Sequence, residues 1–338
     1  MLSRFPKPRV LVTTFPFAEK NRLPREMLEK AGVEFTTNPY GRKFKEKELA
    51  EIIEDYDIII AGTEPITANV IARAKNLQFI SRVGIGLDSV NLYAVKQRGI
   101  QISYTPDAPA PAVAEMTLGF MLTLLRRVNI SNLEIHSGCW TRYFGKRLAE
   151  CTVGIIGVGR IGQKVIKHLR GFNPKKVLVN DLHRQNLDAE EFPVVWSDKE
   201  TIYEEAEVIS LHVPLTRITK NMIVREHLLS MKSDAVIINT SRGGIINETD
   251  LYDVLKQGHL SGAAIDVFEI EPYAGRLIEL DNCLLTSHMG SMALDCRARM
   301  ELEATTEAIR FIENQPQQSA VPVEEFLVQH GVEGLEKY

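Results

Sequence analysis

Arg242, Glu271 and His288 each follow a short apolar run by a few residues. Arg242 lies in Asn239-Thr-Ser-Arg-Gly-Gly, Glu271 in Asp266-Val-Phe-Glu-Ile-Glu-Pro, and His288 in Thr286-Ser-His-Met-Gly. An imidazole titrates near neutrality and can hand a proton to a developing alkoxide. A carboxylate beside it favours the charged ring. A guanidinium can grip a carboxylate bidentately and polarise a neighbouring carbonyl. Together they are the set that hydride exchange with a 2-oxo acid requires. Singly each has a plainer use, as a capping Arg, a surface Glu or a satisfied core His. Ligands of an open parallel sheet bind at the carboxyl ends of its strands, and all three residues would share that edge.

A phosphate-binding turn stands upstream. Gly157-x-Gly159-x-x-Gly162 follows the apolar run Cys151–Ile156 and opens a helix reaching about His168. Gly157 suits a tight turn, Gly159 lets backbone approach a pyrophosphate, and Gly162 lets helix and strand pack closely. The helix N-terminus offers N–H groups and a positive dipole end. Asp181, about 20 residues on, can accept both ribose hydroxyls and repel a 2′-phosphate. NAD is therefore expected over NADP, with His183 and Arg184 as the nearby residues that argue the other way.

Two alternating series must position these groups. The first reads as strands at Val10–Thr13, Val33–Thr37, Asp57–Ala61, Phe79–Val83 and Ile100–Ser103. Pro24 suits a first helical turn, Gly32 closes that helix, Thr67 caps the next but one, and a further helix runs from about Ser89. Pro106, Pro109 and Pro111 punctuate the chain before a long helix, Val113–Asn132. The second series has six strands: Cys151–Ile156, Lys176–Asn180, Val208–Leu211, Ala235–Asn239, Gly262–Val267 and Cys283–Thr286. A last helix, about Met292–Asn314, leaves it. Strands alternating with helices imply parallel sheets covered on both faces. The expectation is two doubly wound α/β domains with a cleft between them.

Along nearly its whole length the chain resembles the D-isomer-specific 2-hydroxyacid dehydrogenases, the family of phosphoglycerate dehydrogenase. The matching stretches are Val83-Gly-Ile-Gly-Leu-Asp, the glycine turn, His212-Val-Pro-Leu-Thr and the three that hold Arg242, Glu271 and His288. The resemblance implies a Rossmann NAD-binding domain over residues 105–289 and a discontinuous flavodoxin-like substrate domain over 1–104 and 290–338. It implies that Arg242, Glu271 and His288 are catalytic, and that the backbone at Val83 and Gly84 receives the substrate carboxylate. Gly157, Gly159, Arg160, Ile161, Gly162, Asp181, His212, Val213, Pro214, Thr219, Thr240 and Gly290 would line the cofactor site, and Asp266 would hold the nicotinamide carboxamide. It further implies a homodimer formed through the NAD-binding domains, with an apolar arm at Trp140, Tyr143 and Phe144. One stretch departs. Where phosphoglycerate dehydrogenases commonly carry Arg-Ser-x-Thr-Lys, this chain has Ala61-Gly-Thr-Glu-Pro65. Arg82 and Arg297 are the candidates to replace those basic residues, which points to a D-2-hydroxy acid with a second anionic group, 3-phosphoglycerate-like. The alternatives are a glyoxylate or hydroxypyruvate reductase, or an NAD(H)-sensing scaffold akin to a corepressor.

Composition narrows the partners. With 40 Lys and Arg against 44 Asp and Glu, the net charge of −4 gives no general attraction for nucleic acid or an anionic membrane. The apolar run Phe120–Leu125 is far short of the roughly 20 residues of a span. Met1–Val12 lacks the apolar core of a leader, and Cys139, Cys151, Cys283 and Cys296 form no CxxC pair. No metal set is expected. A cytoplasmic protein with reduced thiols and a small-molecule substrate is.

Overall fold

The computed structural model describes residues 8–184, 187 and 193–330. The chain forms two compact units, one running to Pro109 and resuming at Met292, the other Ala110–Ser291. The divisions thus fall at 109/110 and 291/292 rather than at 104/105 and 289/290.

The first unit holds β1 (Arg9–Val12), β2 (Glu34–Thr37), β3 (Ile58–Ala61), β4 (Phe79–Arg82) and β5 (Gln101–Ser103). All pair in parallel, in the order β2-β1-β3-β4-β5. Because side chains alternate along a strand, Leu11, Ile59, Ile80 and Ile102 share one face, packed with Leu49, Ile53, Val70 and Val95. Helix Leu294–Ile312 packs beside this sheet too: Phe311 stacks on Phe79 with 4.6 Å between ring centroids, and Ser81 Oγ donates to Ala304 O. Fully burying each Ile, Leu or Phe stabilises by about 1.5–3 kcal/mol. Pro24 sits in the first turn of helix Leu23–Lys30, and Gly32 beyond it takes a positive φ of 69°. Thr67 Oγ1 accepts the Val70 N–H and caps helix Ala68–Arg73. The following helix, Leu92–Gln97, begins a few residues beyond Ser89, because Asn91 Oδ1 accepts the Ala94 N–H and caps it. A terminal helix, Val323–His330, was not anticipated; Gln329 ties it to the backbone at Val90 and Leu92.

Among the described residues the second unit holds seven strands rather than six: β6 (Thr152–Ile156), β7 (Lys176–Asn180), β8 (Val194–Trp196), β9 (Val208–Leu211), β10 (Val236–Asn239), β11 (Gly262–Ile265) and β12 (Cys283–Leu285). They are parallel throughout, in the order β12-β11-β10-β9-β6-β7-β8. The overlooked β8 is a three-residue edge strand with no fully buried residue, so it carries little apolar signal. Both faces of this sheet are covered. Ile156, Ile209, Leu211 and Ile237 pack on one side; Val153, Ile155, Val208 and Ile238 pack on the other against Phe120, Met121 and Val165. The expected helix Val113–Asn132 is broken. Ala110–Leu125 ends where Arg127 takes a left-handed φ of 53°, and Val128–His136 begins a second helix with no buried residue. The chain leaves the core there, and an arginine gives no warning of a conformation that L-residues rarely adopt. Among the described residues no helix is long and apolar enough to cross a membrane.

Candidate active site

The glycine turn joins β6 to helix Arg160–Leu169 at the point where the seven-stranded sheet reverses its order, between β6 and β9. Gly157 has φ of +98°, and a Cβ on it would overlap the His212 backbone beyond β9. A Cβ on Gly162 would overlap the Gly157 carbonyl. Around Gly159 a Cβ would meet nothing within 4 Å. Two glycines are thus fixed by packing, and the third leaves open space over the helix N-terminus. Asp181, just past β7, accepts the Val158 N–H at 2.6 Å and the His183 N–H at 3.0 Å. It is therefore pinned against the turn, with lone pairs on both oxygens still available. Arg160 is exposed and Ile161 half-buried.

His212 sits with Nε2 2.9 Å from Ser210 Oγ, while Nδ1 is shielded and takes no partner among the described residues. Burial pulls its pKa down to about 3, so the ring is neutral near pH 7. Val213 is half-buried and Pro214 exposed. Thr219 Oγ1 donates to Pro214 O at 2.6 Å and accepts the Thr216 N–H, which braces that loop. Thr240 is buried with its hydroxyl 2.9 Å from that of Thr117. The open space at Gly159, the helix N-terminus beside it, a shielded ring nitrogen and a fixed carboxylate fit a dinucleotide.

Farther along the same edge lie the loops after β10, β11 and β12. Asn239 ends β10 and folds the first of them: Oδ1 accepts Ser241 N–H and Oγ–H, and Nδ2 donates to Arg242 O at 2.8 Å. Arg242 is half-buried and donates from Nη1 to Ser241 O. Gly243 admits no side chain, because a Cβ would overlap the backbone at Phe268 and Glu269. The loops after β10 and β11 therefore touch backbone to backbone. Asp266, 1% exposed, immediately follows β11. Its Oδ1 accepts Thr286 Oγ1–H and the Met289 N–H, and its Oδ2 accepts the Gly290 N–H at 2.8 Å. The Asp266 carbonyl accepts the His288 N–H as well. These bonds hold His288 at a φ of 54°, costly for a side chain of its size.

His288 Nδ1 lies 3.0 Å from both carboxylate oxygens of Glu271. Glu271 Oε1 also accepts the Phe268 N–H. The carboxylate thus favours the tautomer with a proton on Nδ1 and leaves Nε2 on the opposite side of the ring. The His288 side chain keeps 33% of its surface exposed. Arg242, Glu271 and His288 come from adjacent strands of one edge. Asn239, Gly243 and Thr286 are supports that the sequence reading passed over, since nothing in a lone Asn, Gly or Thr reports what its side chain or backbone will meet. The resemblance makes Asp266 a cofactor contact alone; its three side-chain acceptor bonds make it the anchor of the His288 loop as well.

The residues expected to handle substrate carboxylate lie past β4. The Val83 N–H donates to Ala61 O at 2.8 Å, and the Gly84 N–H donates to Thr105 Oγ1 at 2.7 Å. Both amides therefore already have protein acceptors. Arg82 is buried, bonded through Nη1 to Val83 O and folded over Gly84. Arg297 donates from Nε to Glu301 Oε1 at 2.6 Å and from Nη2 to Thr14 Oγ1 and Pro16 O. The two side chains of that ion pair are 13% and 4% exposed.

A doubly wound sheet with an open phosphate-binding turn and a Glu-held imidazole on the same edge defines a nucleotide-dependent oxidoreductase. Residues 118–290 match the model of the D-isomer specific 2-hydroxyacid dehydrogenase, NAD binding domain, and the chain belongs to that family. It is an NAD-dependent 2-hydroxyacid dehydrogenase. A hydroxypyruvate reductase of Thermotoga maritima is 37% identical over 263 residues, 76% of this chain and 85% of that one. A D-3-phosphoglycerate dehydrogenase of Methanocaldococcus jannaschii is 38% identical over 251 residues, 72% of this chain but only 48% of that one. The structure of a glyoxylate reductase from Paecilomyes thermophila superposes with a TM-score of 0.84 at 25% identity, covering 95% of this chain and 100% of the other.

Proposed function

We propose that the chain reduces a small 2-oxo acid of the hydroxypyruvate or glyoxylate type. The observation that carries this reading is the pairing of His288 Nδ1 with both oxygens of Glu271, beside the Arg242 loop. Bound NADH supplies the hydride. The glycine turn, Asp181, His212 and the neighbouring loop would hold it, with Asp266 near its carboxamide. His288 delivers a proton from Nε2 to the carbonyl oxygen, and Glu271 stabilises the imidazolium before the transfer. Arg242 polarises the carbonyl and grips the carboxylate. In the oxidative direction the same ring takes the proton back.

The small substrate is favoured because Arg297 is already committed to Glu301, and the 61–65 stretch carries Glu64 instead of a cation. Arg82, next to Val83 and Gly84, keeps a dianionic acid as the second reading. NADH oxidation against glyoxylate, hydroxypyruvate, pyruvate and phosphohydroxypyruvate tests both. Turnover of the small acids above the phosphorylated one is expected; the reverse order would restore the second reading. Tight NADH binding with no turnover of any acid would instead mark a sensing scaffold. Pairing of two copies through the second unit is part of the proposal, since Val128, Leu133, Ile135, Trp140 and Phe144 are all exposed apolar residues of one stretch. Light scattering at the dimer mass would support it.

A further inference from the structure

Glu271 reaches His288 from a turn that is held by a residue of another element. The turn follows β11 and closes partly on its own side chain, since Glu271 Oε1 accepts the Phe268 N–H. The next amide, that of Glu269, donates instead to Glu248 Oε1 at 2.7 Å, 21 positions upstream. Glu248 is the first residue of the helix Glu248–Lys256. The start of that helix is firmly placed. Asn247 Oδ1 accepts the Asp250 N–H, the Asn247 N–H donates to Ile223 O, and Ile245 and Ile246 just before it are buried. Phe268 and Glu269 also meet the Gly243 backbone. All of these residues belong to the second unit.

An acid at the first position of a helix has a plainer use, as a complement to the macrodipole. Position 248 suits that use poorly. Glu248 is half-buried, and its pKa is pushed up, by burial first and also by the charges of Glu269 and Glu271. The bond from the Glu269 amide works against that rise. A carboxylate kept for the dipole would gain by turning to water, whereas one kept for the Glu269 amide must stay among its like-charged neighbours.

We propose that Glu248 is a positioning residue for the proton-handling pair: by accepting the Glu269 N–H it holds the turn from which Glu271 presents both carboxylate oxygens to His288 Nδ1. It acts through Glu271 and not on the reacting atoms. The inference rests on the reading of Glu271 and His288 given above.

Three variants separate reach from charge. Glu248→Gln keeps an oxygen at the same reach and removes the charge. Glu248→Asp keeps the charge and draws it back by one methylene. Glu248→Ala removes both. The rate is read with NADH and whichever of hydroxypyruvate and glyoxylate turns over faster. Glu248→Gln should keep kcat within about twofold, while Glu248→Asp and Glu248→Ala should lower it about tenfold, below the roughly 10² that a shift near 1 Å costs. KM for NADH should not move. A ranking that follows charge, with Glu248→Asp active and Glu248→Gln impaired, would overturn the proposal in favour of the helix dipole. Full activity of Glu248→Ala would overturn it as well.

Glu248→Ala is then combined with Glu271→Gln. Residues that act through one another are not additive, so the loss caused by Glu248→Ala should vanish in the Glu271→Gln background. Losses that multiply would overturn the proposal while leaving Glu271 as the partner of His288. No loss from Glu271→Gln by itself, or no turnover of either acid by the unaltered protein, would overturn both readings. Should Glu248→Ala not fold, the comparison of Glu248→Gln with Glu248→Asp decides alone.

Discussion

The loops beyond the seven-stranded sheet and those beyond the five-stranded sheet use the same residue types in opposite ways. Around the ends of β10, β11 and β12 the buried Asn239 and Asp266 grip backbone and hydroxyls. Arg242, Glu271 and His288 are left partly exposed. After β1, β3 and β4 the buried residues include charged ones: Glu64, Arg82 and, nearby, Glu301. A charged residue at the carboxyl edge of a sheet is therefore no site by position alone. It becomes available for chemistry when another residue has taken over the task of holding the loop.

The contrast is broken most directly at His288. His288→Ala should lower kcat by about 10²–10⁴ and leave the melting temperature near that of the unaltered protein, because Asp266 holds the loop through main-chain amides. A melting temperature that collapses together with the rate would put His288 among the structural residues. Gly243→Ala comes next. Its methyl would overlap the backbone at Phe268, and a shift near 1 Å in the Arg242 loop should cost about 10² in kcat/KM, read against thermal stability. A variant of full activity would mean that the two loops are not in fixed contact.

Arg297→Ala sharpens the other side. It leaves Glu301 buried without its partner, which should cost about 3–5 kcal/mol of stability in a chemical unfolding curve. Unaltered stability with a raised KM for phosphohydroxypyruvate would move this arginine to the substrate. The smallest effect at neutral pH belongs to His212. Its folded pKa of about 3 lies below the 6.5 of a free imidazole, so the unfolded chain binds more protons between those values. Stability contributed there is present above about pH 6.5 and lost as pH falls toward about 3. His212→Asn should flatten the melting temperature against pH across that window, and an unchanged acid limb would show that the ring is not the group that titrates.

Much of this was legible without coordinates because it depends on local pattern. Apolar runs of four or five residues, punctuated by glycine and proline, mark strands buried on both faces. The glycine spacing announced its turn, and the two tight glycines behave as expected of them. What stayed hidden is long-range or conformational. The Arg127 break depends on a dihedral that no periodicity encodes. The anchoring by Asp266 joins residues 20 or more positions apart, and the bond from Gly84 to Thr105 spans 21. Arg297 looked like an available cation because its partners, Thr14 and Pro16, lie at the far end of the chain.

The way Asp266 holds its neighbours has a bearing on how such a site can change. Its carboxylate accepts from the amides of Met289 and Gly290 and from the hydroxyl of Thr286, and its carbonyl accepts from the amide of residue 288. None of those donors belongs to the imidazole. Every amino acid except proline brings the same amide to position 288, and asparagine or glycine would relieve its backbone of strain. The proton-handling group is thus a detachable part of a loop whose shape is specified elsewhere, so drift at this one position can retune or silence the chemistry while the fold and the cofactor cradle persist.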